Sequence, residues 1–253
     1  MTRIVAVVSQ KGGVGKTSLV QNLGAELALA QKRVLLVDFD PQSNLTTGWG
    51  IDPMTARGTV YDAMTDPETA VNTLIEIRPN LYLMPASLDL AGAELAFINA
   101  IDRNSKLRKA IGPIAHYFDI ILIDGPPSLG FFTVNALAAA NEILIPLQVH
   151  PYAYKAIDQL LGIVEQVAEI NPSLELTGIV LTMYDQRNSL TSAIEDAARQ
   201  RFNGRVFKTV IPINVRIPEA TLDGLSVGEY ESGSRGAEAY RNLAVEVAAN
   251  GKA

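Results

Sequence analysis

Ser9-Gln10-Lys11-Gly12-Gly13-Val14-Gly15-Lys16-Thr17 is the stretch of this chain whose residue types and spacing most plainly prescribe a chemistry. Its three glycines let the backbone turn sharply and aim its N–H groups inward, the shape that cradles an anion. A helix starting directly afterwards adds the positive end of its dipole. Lys16 can then reach the β- and γ-phosphates of a nucleotide, and the Thr17 hydroxyl can ligate Mg2+. Gly12, Gly13, Val14, Gly15 and Ser18 complete the cradle. The run departs from the pattern G-x-x-x-x-G-K-[ST] in having Gln10 where the first glycine would stand, and it carries a second lysine, Lys11.

Two strand ends supply carboxylates. Val34-Leu35-Leu36-Val37 leads into Asp38-Phe39-Asp40-Pro41-Gln42, with the acids two residues apart, a spacing that can put both on one face of a strand. Ile120-Ile121-Leu122-Ile123 leads into Asp124-Gly125-Pro126-Pro127. An aspartate ending an apolar strand beside a phosphate loop holds Mg2+ directly or through water. The Gly-Pro-Pro turn after Asp124 is stiff, as suits a segment that senses a γ-phosphate.

These groups must be positioned by the elements around them. Apolar runs at Ile4–Val8, Val34–Val37, Leu81–Met84, Ile120–Ile123, Ile143–Leu147, Gly178–Leu181 and Val206–Ile211 read as strands, several without polar alternation. Strands apolar on both faces belong in a sheet covered on both sides. Helical patterns lie between them, near 16–31, 88–110, 130–140, 152–170, 189–201 and 234–249. The alternation predicts an α/β fold, one doubly wound domain with a mostly parallel central sheet and ligands at the carboxyl ends of its strands. Residues 41–80 are the least regular, with short helical pieces at Val60–Met64 and Glu68–Ile75. That segment is either a mobile neighbour of the phosphate loop or a plain surface excursion.

Composition bounds the function. The 253 residues are 48% hydrophobic and 19% charged, which excludes wholesale disorder. The absence of cysteine removes disulfides, thiolate nucleophiles, Cys-held zinc and iron–sulfur clusters. The two histidines, His116 and His150, have no metal-ligand spacing. No apolar run approaches the roughly 18 residues of a membrane span, and the opening residues lack the form of a signal peptide, so a cytoplasmic location is expected. The net charge of −6 opposes nucleic-acid binding overall, yet 187–216 holds six basic and two acidic residues.

The Lys11-Gly12-Gly13-x-Gly15-Lys16-Thr17 form resembles the deviant Walker A loop of the ParA/MinD ATPases, within the P-loop NTPase fold. The resemblance to ParA/Soj-type partition ATPases extends through Asp38–Asn44, the Asp124 motif, Leu181–Asp185, Ile211–Arg216 and Ser232–Ala237. It implies ATP and Mg2+ as cofactors and a homodimer enclosing two nucleotides. Lys11 would act across that dimer. Asp40 would position the attacking water, Asp38 would support a metal site held by Thr17 and Asp124, and Pro212 and Asn214 would lie by adenine and ribose. The resemblance further implies weak ATPase activity stimulated by a ParB-like or cargo adaptor, and non-specific nucleoid DNA contacts at Arg187 and Arg216. A DNA, plasmid or protein-assembly cargo all stay open. Gly125, Ile213, Pro218 and the run Gln148-Val149-His150-Pro151-Tyr152 depart from the family pattern. No N-terminal helix-turn-helix extension is expected, and hence no operator-specific binding. The Ala-rich, nearly uncharged end Ala244–Ala253 disfavours a MinD-like membrane helix. A metabolic ATP-dependent enzyme of the same fold is the remaining alternative.

Overall fold

The computed structural model describes residues 2–150 and 153–250. Among the described residues, eight strands form one sheet: β1 Arg3–Val7, β2 Val34–Asp38, β3 Ile75–Arg78, β4 Leu81–Met84, β5 Ile120–Asp124, β6 Glu142–Gln148, β7 Glu175–Tyr184 and β8 Val206–Pro212. Their spatial order is β3-β4-β2-β5-β1-β6-β7-β8. Every pairing is parallel except β3 with β4. The helices are α1 Lys16–Leu29, α2 Asn44–Gly48, α3 Val60–Thr65, α4 Ala93–Ala96, α5 Lys106–Ile111, α6 Phe131–Ala139, α7 Ala153–Ala168, α8 Ser189–Phe202, α9 Arg216–Leu222, α10 Val227–Tyr230 and α11 Arg235–Ala249.

The unbroken Val/Ile/Leu runs are explained by the two cores. Ala6, Leu35, Val37, Ile121, Ile123, Ile143 and Ile145 face one core with residues of α3, α5, α6 and α7. Their strand neighbours Val5, Val7, Leu36, Leu122 and Leu144 face the other, with residues of α1 and α11. Period-two alternation thus sends successive apolar side chains to opposite helical layers. The expected doubly wound arrangement is what forms. The chain leaves β1 towards β2 and leaves β5 towards β6, in opposite directions along the sheet, and a crevice opens between the ends of β1 and β5.

Two expected elements differ. Residues 88–110 do not form one helix: short 3-10 turns at Leu88–Gly92 and Arg103–Ser105 alternate with α4 and α5. The fully buried Asn135 of α6 accepts from Leu107 N and donates to Arg103 O at 2.9 Å, pinning a turn where propensity alone would continue the helix. In the 41–80 excursion, Pro67–Thr73 is a 3-10 helix, and Ile75 begins the edge strand β3. The expected helix over 152–170 appears as α7 from Ala153; Pro151 and Tyr152 lie outside the described residues.

Candidate nucleotide-binding site

The loop between β1 and α1 sits at that crevice. Gly13 and Gly15 have φ of 75° and 82°, a left-handed conformation that other residues adopt only with strain, so the tight turn into α1 requires glycine there. Above the loop lies a cleft of about 540 Å3 lined by Lys11 to Ser18, with Asp40, Thr47, Pro127, Met183 and Leu222 around it. The structure therefore brings the expected phosphate-binding residues and Asp40 into one cavity.

The strand-end carboxylates Asp38 and Asp124 do not themselves line the cleft; Asp124 is joined to it through the lining residue Lys16. Asp38 and Asp124 are direct register partners on β2 and β5, and both are fully buried. Lys16 Nζ donates to Asp124 Oδ1 at 2.6 Å, while Asp124 Oδ2 is buried with no partner among the described residues. Asp38 is held differently. Its Oδ2 accepts from the Thr46 N–H at 2.8 Å and from the Thr46 hydroxyl at 2.6 Å, and its Oδ1 accepts from Asp40 N. Burial foremost, and then the neighbouring Asp124 charge, push the Asp38 carboxyl up to about 7 despite those hydrogen bonds. Asp38 thus fixes the turn carrying Asp40 and α2. The Asp40 carboxylate accepts from Gln42 N at 2.9 Å, an Asx turn that sets its direction. In the same turn Ser43, at φ 53°, holds a buried hydroxyl that has no partner among the described residues.

At the rim, Lys11 is exposed and donates to Gln148 Oε1 of β6 at 2.8 Å. Sequence reasoning did not find this partner, nor Thr46. Gln148 stood out only as part of an unusual run, and Thr46 is an unremarkable threonine until α2 folds over Asp38. Pro212 and Asn214 do not line the phosphate cleft. Pro212 borders a separate cleft of about 860 Å3 on the β8 side, and Asn214 Oδ1 accepts from Arg216 N at 2.8 Å.

The basic stretch is less uniform than its composition suggests. Arg199 pairs with Glu195 and donates to the carbonyls of Val206 and Phe207, Arg201 pairs with Asp158, and Arg205 donates to Leu176 O. These arginines brace α8 and β8. Arg187 and Arg216 lie at the surface, Arg187 on Asp185 and Arg216 between Glu219 at 2.8 Å and Glu231 at 2.7 Å. Those carboxylates raise both guanidinium groups above their ordinary range.

A glycine-rich turn from a central parallel strand into a helix, with its lysine on an aspartate at the neighbouring strand end, defines a P-loop nucleotide-binding protein. A family model described as an AAA domain matches residues 2–176. The chain is 44% identical to the sporulation initiation inhibitor protein Soj of Bacillus subtilis, over 99% of this chain and 100% of that protein. It is 43% identical to the chromosome-partitioning ATPase Soj of Treponema pallidum, over 98% of each. Among solved structures, cobyrinic acid a,c-diamide synthase from Mycobacterium smegmatis with bound ATP analog and magnesium matches with a TM-score of 0.87 at 35% identity, over 97% of this chain and 93% of that one. The cell division ATPase MinD of Pyrococcus furiosus matches with a TM-score of 0.81 at 28% identity, over 99% and 100%. The chain belongs to the AAA domain family and, within it, to the ParA/Soj-type partition ATPases.

Proposed function

We propose that this chain is a single-domain ATPase switch that dimerises around ATP, binds nucleoid DNA without sequence preference and moves a cargo through an adaptor protein. The observation that carries the reading is the pairing of Lys16 with Asp124 beneath an open phosphate cleft, with the second lysine, Lys11, at its rim. An incoming triphosphate offers Lys16 stronger, charge-assisted partners than one carboxylate. The unpartnered Asp124 oxygen and the Thr17 hydroxyl suit a magnesium ion, which they would hold and whose charge would offset that of the phosphates. Asp40 is aimed by its Asx turn and serves as the carboxylate that orients water for hydrolysis. Lys11 is displaced from Gln148 and reaches the second subunit's nucleotide.

Arg187 and Arg216 provide the DNA contacts. Their present carboxylate partners, Asp185, Glu219 and Glu231, are 32%, 40% and 48% exposed, and pairs open to water are weak, so a phosphate can replace them. At a net charge of −6 one subunit is repelled by DNA at long range, and dimerisation doubles the contacts on one face. Among the described residues no helix is long and apolar enough to cross a membrane. The apolar face of α11 is buried against α1 and β8, which supports a nucleoid rather than a membrane location.

The test is duplex binding with ATP, ADP and no nucleotide. Binding should require ATP, weaken steeply with salt, and fall at least about tenfold in Arg216→Glu while ATP-dependent dimerisation persists by light scattering. Equal binding in all three states, or none in any, overturns the reading. A second reading, an amide-forming enzyme, is raised by the 35% identity to cobyrinic acid a,c-diamide synthase. Releasing ammonia from glutamine commonly uses a cysteine thiolate as nucleophile. This chain has no cysteine, which favours the partition reading.

A further inference from the structure

Gln21 stands five residues into the helix that Lys16 begins, one turn beyond the cleft-lining Thr17, and it is completely buried. Its neighbours along α1, Leu19, Val20 and Leu23, are apolar core residues, so a hydrocarbon side chain would suit the site. A primary amide there must instead satisfy its donors and acceptor. The Gln21 amide nitrogen donates to Gly48 O at 2.8 Å and to Leu225 O at 3.0 Å. Its amide oxygen accepts from the Thr221 hydroxyl at 3.3 Å. One side chain thereby joins the phosphate-loop helix to the end of α2 and to the turn that follows α9.

Both joined segments belong to the cleft. α2 carries Thr46, which grips Asp38, and its first turn follows Asp40 directly, with Ser43 N donating to Asp40 O at 2.8 Å. Asn44, Thr47 and Gly48 line the phosphate cleft on one side, and Thr221 and Leu222 line it on another. The other end of α9 is Arg216.

We infer that Gln21 is a positioning residue for hydrolysis: it fixes the Asp40-bearing segment, through α2, in register with Lys16 and Thr17, and ties α9 to the same frame. It touches no reacting atom and acts through Gly48 and Thr221. A movement of α2 on nucleotide binding is therefore transmitted to α9 rather than absorbed between them. The inference rests on the ATPase reading above.

The experiment uses the full chain and a double-mutant cycle of Gln21→Leu, which keeps the volume and removes the hydrogen bonds, with Thr221→Val, which removes only the hydroxyl. Misplacing a catalytic group by a fraction of an ångström lowers kcat, whereas phosphate affinity depends on the loop itself. Gln21→Leu should lower kcat at least about tenfold with the ATP dissociation constant, by calorimetry, within about threefold of the wild type. Thr221→Val should lower kcat less, and the double variant should be no worse than Gln21→Leu, since both remove one connection. Hydrogen exchange should show ATP protecting 221–226 in the wild type and not in Gln21→Leu. Three outcomes overturn the inference: unchanged kcat in Gln21→Leu, additive losses in the double variant, or retained ATP protection of 221–226. A fall in ATP affinity as large as the fall in kcat also overturns it, because that is general damage to the loop. A wild-type chain that does not hydrolyse ATP overturns the ATPase reading itself and is distinguishable from all of these.

Discussion

Lys16 and Asp124 neutralise each other where neither is reached by more than a trace of water, with side chains 7% and 0% exposed. Breaking such a pair by removing one partner costs about 3–5 kcal/mol, because the other charge stays buried. Lys16→Ala should therefore lower the melting temperature of the nucleotide-free protein by several degrees, besides lowering ATP affinity by orders of magnitude in calorimetry. A variant with wild-type affinity would refute the phosphate-loop assignment. Asp38 gives a prediction in pH. Its carboxyl is raised from an ordinary value near 3.8 to about 7 in the folded protein. Between those values the native state binds the extra proton, so this group makes stability fall as pH rises from about 4 to about 7, and adds no further dependence above that. In Asp38→Asn that contribution vanishes. The unfolding free energy of the variant relative to wild type should climb by a few kcal/mol across the same window, at about 1.4 kcal/mol per pKa unit, and then level off. Denaturant titrations at a series of pH values measure it, and a flat difference would contradict the assigned shift. The acids themselves were legible as the last residues of apolar strands. What Asp38 does was not, because its partner Thr46 is eight residues on in a short helix that only the tertiary fold lays across it.

The elements most exposed to sequence reading were those with continuous apolar runs, and all seven expected strands form. The missed strand β3 has the sequence Ile-Glu-Ile-Arg, half-exposed at the sheet edge, and joins β4 antiparallel around Asn80 at φ 66°. Its four residues carry too little pattern to separate a strand from a loop. The break in 88–110 was hidden for another reason: Leu90, Ala93 and Phe97 are buried while Leu88, Leu95, Ile98 and Ile101 are exposed, so apolar residues occur on both sides and the periodicity does not report the turn. The pairing of β7 with β8 also holds a feature invisible in sequence. Between the pairs Ile179–Val206 and Leu181–Val210, β8 advances four residues against two on β7. Glu246 of α11 caps the bulge, accepting from Lys208 N and Thr209 N at 2.8 and 2.7 Å. The bulge turns the buried Phe207 ring onto Gly178, where a Cβ would lie 2.3 Å from the ring edge. Gly178→Ala should destabilise the protein by about 1–3 kcal/mol in thermal or denaturant unfolding. Phe207→Leu should recover part of that loss in the double variant; full additivity would mean that the ring is not the obstacle.

At the scale of the whole molecule, the proposed switch needs two subunits at each nucleotide, and the residue that would cross between them is presently tied at home. Lys11 rests on Gln148 of its own β6 through an exposed hydrogen bond. Such a contact is worth about 1 kcal/mol, little against a charge-assisted bond to a phosphate in a closed interface. Lys11→Ala should accordingly keep monomer ATP affinity and lose hydrolysis. Asp40→Ala should also bind ATP without turning it over, because in the proposed switch Lys16 and the loop hold the phosphates and Asp40 only orients the water. If Lys11 acts on the partner's nucleotide and Asp40 on its own, a mixed dimer has one site lacking both groups and one lacking neither. Mixing the two inactive variants should then restore activity. At equal concentrations, with random exchange, half of the dimers are mixed and each has one intact site, so about a quarter of wild-type turnover is expected per subunit. The recovery should vanish when either variant is omitted and should follow the mixing ratio with a maximum near equality. No recovery at any ratio, with ATP-dependent association retained by light scattering, would place Lys11 and Asp40 in the same chain's site and leave the Lys11–Gln148 contact as its working position.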